Sequence, residues 1–146
     1  MLGFIIAIIS GALMSIQGVF NSGVTKQTGI WVAASFVQFT ALIVCLIAWL
    51  VTGRESGFGA LLKMDNKYML LGGAIGAFIT YTVIKSVDLL GPAGANMFII
   101  TAQLIVAYLI EVIGLWGTEK VDFEWRKLLG VAIIVVGIVL FQWKTE

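Results

Sequence analysis

The chain has 146 residues, of which 60% are hydrophobic and 12% charged; net charge is +1, with one Cys and no His, and mean hydropathy is +1.06. Soluble domains carry about a quarter of their residues charged, so this balance argues against a soluble enzyme, and nucleic-acid binding would need a basic footprint that is missing. Disulfide frameworks, zinc sites and His-based triads fall with the Cys and His counts, which leaves a small polytopic membrane protein with the lipid bilayer as its surroundings.

Charge-free runs divide the chain at residues 1–25, 27–53, 68–84, 89–110 and 128–143. A spanning helix needs roughly 17–25 largely apolar residues. The runs predict five transmembrane helices, at about 2–20, 30–51, 68–87, 93–116 and 127–143. They are too long, and alternate too little, for porin-like strands.

The first helix begins at Met-Leu-Gly-Phe, with no basic segment before it and no Ala-x-Ala cleavage site after it. That reads as an uncleaved helix rather than a signal peptide. A turn is expected over 21–29, where Asn21, Ser22, Gly23 and Gly29 are turn formers. The second helix is flanked by Trp31 and Trp49 and carries the lone Cys45 mid-span, as a small apolar packing residue. Residues 52–67 read as a short interfacial turn. Tyr68 opens the third helix. Gly91-Pro92 separates the third from the fourth, with Pro where a new helix starts. Trp116 closes the fourth helix, 117–126 form the last loop, and Trp125 and Trp143 bracket the fifth. Indole rings prefer the headgroup level, and all five Trp fall near predicted helix ends.

Five spans put the two termini on opposite faces. Arg54, Lys63, Lys67, Lys120, Arg126 and Lys127 fall on the N-terminal face, against Lys26, Lys85 and Lys144 on the other. The excess of three favours N-terminus inside, weakly. An odd helix count with weak bias suits one half of an inverted-repeat transporter. The second half would then be an antiparallel copy of the same chain or a sister five-helix protein. The fold class expected is therefore an all-α integral membrane protein with a single five-helix domain over 1–146.

Polar side chains inside the bilayer are costly, and they line cavities or pair with one another. On the first helix Ser10, Gln17 and Asn21 fall within an arc of about 40°, with Met14 beside them. On the second, Trp31, Ser35 and Gln38 share a face that Leu42, Cys45 and Trp49 continue. On the fourth, Asn96, Gln103 and Glu111 lie within about 80°. Two readings stand side by side: hydrogen bonds that hold the bundle together, and a polar substrate cavity. Carboxamides both donate and accept. The substrate-binding candidates are Gln17, Asn21, Gln38, Asn96 and Gln103, with Trp31 and Phe98 able to stack on an organic cation. Glu111 has three readings: a helix-end charge reaching the interface, a partner for a basic group such as Lys85, or the site of a cationic substrate or coupling proton. Tyr81, Lys85 and Asp88 share a face of the third helix, where Lys85 and Asp88 can neutralise each other. Gly72 and Gly76 form a GxxxG, and Gly3, Gly11 and Gly18, like Gly130 and Gly137, mark packing faces.

The run Gly11-Ala-Leu-Met-Ser-Ile-Gln17-Gly-Val-Phe-Asn21, with Ala33-Ala-Ser-Phe36, resembles the first hairpin of the YdcZ-type branch of the drug/metabolite transporter superfamily. Leu71-Gly-Gly73 and Leu90-Gly-Pro-Ala93 are similar to that branch's third helix and the turn after it. Thr101-Ala-Gln103-Leu and Glu111 before Gly114-Leu-Trp-Gly117 resemble its fourth helix; Arg126-Lys-Leu-Leu-Gly130 and Gly137-Ile-Val-Leu resemble its fifth. One departure is Glu111-Val112, where the branch carries Asp, often before His. The resemblance spans essentially the whole chain. It implies five-helix units that work single, paired or fused, some with dual topology, in the cell membrane of a bacterium. It implies transport but no defined substrate; the carboxamides suit a small polar or amphipathic metabolite, a cation among them, and with no motif for nucleotide, metal or covalent chemistry neither an enzyme nor a cofactor is expected. The alternatives are a non-transporting partner subunit of a membrane complex, or an antiparallel dimeric channel, for which the sequence has no ring of like charges.

Overall fold

A computed structural model describes residues 1–53 and 57–142, with Gln142 described in its backbone only. Arg54, Trp143 and Lys144, invoked above as topology and interface markers, lie outside the described residues. Helices and turns make up the described chain, with no strand among them. In order these are α1 (Leu2–Thr28), α2 (Ile30–Val51), the one-turn α3 (Gly59–Leu62), a 3-10 turn at Lys67–Leu71, α4 (Gly72–Ile113), a 3-10 turn at Leu115–Gly117, and α5 (Trp125–Gln142).

Among the described residues three helical stretches are long and apolar enough to cross a membrane; the third runs 47 residues, from Lys67 to Ile113. At 1.5 Å per residue it would reach about 70 Å, twice what one crossing needs. It is broken at Gly91, whose φ of 73° and ψ of 165° are not helical, so α4 carries both the third and the fourth expected helices. With α5, the long helical segments among the described residues number five.

One expectation is corrected. The turn predicted over 21–29 is helix as far as Thr28, and only Gly29 breaks it, at φ 91° and ψ 155°. Asn21 and Ser22 are turn formers by propensity, but both are buried here, and propensity yields to tertiary packing. Thr28 returns its hydroxyl to the Val24 carbonyl at 2.9 Å, which keeps the last turn saturated. Gly29 and Gly91 share the same extended, positive-φ geometry, a region essentially reserved for glycine. Pro92 reinforces the second break, since a residue before proline avoids the helical region.

The chain divides into two compact units, Met1–Asp88 and Leu89–Glu146. In the first, the buried residues are mostly small: Gly18 on α1, Ala33 and Ala34 on α2, with Ile84 and Val87 on α4. A Cβ placed on Gly18 would meet Val87 at 3.5 Å and Val83 at 3.7 Å, so the glycine lets α1 approach α4 closely. Trp49 packs on Phe58 with ring centroids 5.0 Å apart, seating the segment that leads into α3. In the second unit Ala95, Thr101, Val131 and Ile138 are buried. Gly114, at φ 74° and ψ 40°, ends α4 by returning its N–H to Ile110 at 2.8 Å, the left-handed glycine stop. Large apolar side chains such as Phe4, Ile8, Val44, Phe78 and Leu140 are exposed. In lipid this carries no penalty, because the acyl chains are as apolar as leucine.

Candidate functional site

The carboxamides of α1 do come together. Gln17 and Asn21 line a hollow of about 580 Å³ beside Leu13, Met14 and Phe20, faced from α2 by Val37, Thr40, Ala41, Val44 and Cys45. Asn21 is 7% exposed as a residue, whereas the buried side-chain polar atom without a partner among the described residues is Thr25 Oγ1, one helical turn further on. The Asn21 carboxamide opens on the hollow, where it can donate and accept. The Thr40 hydroxyl donates to Phe36 and Val37 carbonyls at 3.0 Å, which leaves its lone pairs free to accept. No charged side chain lines this hollow.

Gln38 lies elsewhere. Its Nε2 donates to Thr80 Oγ1 on α4 at 3.3 Å, and Gly76 leaves the room for it, its absent Cβ falling 3.6 Å from that nitrogen. Trp31 stacks on Tyr81 with centroids 4.9 Å apart and planes 23° apart, which occupies one face of the indole. The same stripe of α2 therefore binds α4, while the face bearing Thr40 and Val44 opens on the hollow. Next to Asn21, the Ser22 hydroxyl donates to Asp88 Oδ1. Lys85 and Asp88 are close enough along the helix to neutralise each other, but among the described residues no ion pair joins the two.

In the second unit Asn96 is half-buried, Gln103 is exposed and Phe98 is exposed. Glu111 forms the ion pair found among the described residues, with Lys127 Nζ of α5 at 3.9 Å. That answers one of its three readings: its basic partner is Lys127 rather than Lys85. Glu111 and Lys127 edge a hollow of about 300 Å³ with Tyr108, Leu104, Ala107, Gly130, Val131 and Ile134. Lys127 also sits 5.0 Å over the Tyr108 ring. The Tyr108 hydroxyl accepts the Glu124 N–H at 2.6 Å, and the Val121 N–H donates to the Glu111 carbonyl at 3.1 Å. The loop from Thr118 to Glu124 is thus tied to the end of α4.

The sequence does not single out Thr40 or Tyr108, and it gives Ser22, Asp88 and Lys127 no part in a site. Tyr108 lies three residues before Glu111, one helical turn, and that spacing could have flagged it. Lys127 was counted only as a topology charge. The other three emerge from which helix packs on which.

Long apolar segments, a lipid-compatible exterior and a carboxamide-bearing hollow define a multi-pass membrane protein. The family described as "Putative inner membrane exporter, YdcZ" matches residues 2–140, and the chain belongs to that YdcZ family of drug/metabolite transporters. Comparisons with curated proteins and with solved structures each found no match.

Proposed function

We propose that this chain is half of a secondary transporter for a small polar or amphipathic metabolite. Its seat is the hollow between α1 and α2. The observation that carries this is the lining: the Gln17 and Asn21 carboxamides share the hollow with the accepting oxygen of Thr40. Three polar groups in an otherwise apolar lining suit a ligand with a hydrogen-bonding head and a hydrocarbon body. The absence of charge from that lining favours a neutral ligand over a cation. Asn96, Phe98 and Gln103 are the substrate-binding candidates of the second unit. Coupling falls to Glu111, which must exchange Lys127 for a proton or cation when it acts. Two such units in opposite orientation, from a second copy or a sister chain, complete an inverted-repeat transporter, with export as the direction the family's description supports.

The test is flux. Purified protein in liposomes loaded with a metabolite extract should give saturable uptake or release of particular compounds. Asn21→Leu should lower that flux about fivefold or more, since an unmet hydrogen bond in a buried site is worth roughly 1–3 kcal/mol. Flux that rises without saturation would mean a channel. Flux indifferent to Asn21→Leu and Gln17→Leu would remove the hollow from the pathway.

A further inference from the structure

We propose that the Glu111–Lys127 pair is a seat for a zwitterionic phospholipid headgroup, specifically a phosphoethanolamine. Four observations converge in the second unit. The pair is loose, at 3.9 Å, and its side chains are 50% and 42% exposed, so each ion has room for another partner. The two charges stand at the rim of a hollow whose wall beyond Tyr108 and Gly130 is Leu104, Ala107, Val131 and Ile134. From residue 104 to 111, and from 127 to 134, each helix provides about 10 Å of apolar surface, enough to lay the upper part of an acyl chain along it. Finally, Phe123 and Trp125 pack edge to face at 5.5 Å beside the start of α5. Aromatic residues in such a place mark the headgroup level.

The chemistry selects the headgroup. Lys127 offers ammonium donors to a phosphate oxygen, and Glu111 offers a carboxylate to an ammonium separated from that phosphate by two carbons. Insertion replaces one stretched pair by two charge-assisted hydrogen bonds. A phosphatidylglycerol meets Lys127 and leaves Glu111 facing a neutral alcohol. A phosphatidylcholine brings positive charge but no N–H to donate. Tyr108, fixed through Glu124, is a positioning residue that holds Lys127 over its ring. The seat concerns the resting pair and stands whether or not Glu111 also carries a coupling proton.

The experiment is native mass spectrometry of the purified full chain with equal amounts of phosphatidylethanolamine, phosphatidylglycerol and phosphatidylcholine bearing identical acyl chains. Phosphatidylethanolamine should be retained roughly tenfold over the other two, about the worth of one charge-assisted hydrogen bond. Stepwise N-methylation of its amine should lower retention in order. Glu111→Gln should bring phosphatidylethanolamine down to the level of phosphatidylglycerol. Equal retention of all three lipids, or retention flat along the methylation series, overturns the proposal. Free phosphoethanolamine that displaces the lipid at matched concentration overturns the lipid as occupant and makes the site one for a soluble zwitterion. The methylation series uses the unaltered chain, so it decides the matter even where Glu111→Gln does not fold.

Discussion

Cys45 makes the hollow between α1 and α2 open to measurement at a single atom. Its thiol is exposed and lines the same space as Gln17 and Asn21. A thiol reacts as the thiolate, which needs water; buried against lipid it would be inert. A small water-soluble maleimide should therefore label Cys45 in native membranes, and a transported metabolite should slow that labelling. Thr40→Val should leave the labelling in place and weaken the protection, because it removes an acceptor without closing the space. Cys45 silent to every soluble reagent would mean a lipid-filled groove. Glu111 answers a different measurement. If it couples transport, Glu111→Gln abolishes concentrative flux while counterflow of substrate persists. Concentrative flux that survives the substitution would leave Glu111 its place at the interface and end its coupling role.

At the scale of the element, charge-free runs are a good guide to where helices exist and a poor one to where they stop. The second expected helix coincides with α2 because Gly29 and the residues after Val51 end it by local backbone rules. The first runs past its expected end to Thr28, because Asn21 and Ser22, turn formers by propensity, are buried within the helix. Their burial, and the Ser22–Asp88 hydrogen bond, depend on α4, 66 residues further along, which no local pattern reveals. The same holds for the stripe Trp31, Ser35, Gln38: the shared face was legible, but not that it faces Tyr81 and Thr80. Two substitutions test the helix contacts. Gly18→Ala should be tolerated, since its Cβ would sit at 3.5 Å from Val87, ordinary contact distance. Gly18→Leu should drive α1 from α4 and lower the unfolding temperature of the purified protein by several degrees. Gly29→Ala meets no atom within 4 Å, so any loss there comes from the φ of 91° alone, at about 1–3 kcal/mol. Equal stability of Gly29→Ala and the parent would mean that the break can relax into a conformation open to any residue.

For the whole molecule the open question is orientation, because an inverted pair needs both. Positive residues are split six against three between the faces the five spans define, and such a bias directs insertion only weakly. The proposal of an antiparallel homodimer therefore predicts that the chain inserts both ways. Glu146→Cys, in a background with Cys45 replaced by Ala, should be labelled in part from outside intact cells and in full after permeabilisation. Shifting the balance should then shift the population: replacing Lys63 and Lys67 with Gln lowers the N-terminal face to four and should raise the fraction inserted with that face outside. If flux requires both orientations, driving the chain to either extreme should lower activity, and mixing the two fixed forms in one membrane should restore it. Recovery on mixing is the outcome that a parallel assembly cannot give. Labelling from one side only, with full activity, would instead require a sister chain of opposite orientation or a transporter without the inverted pair.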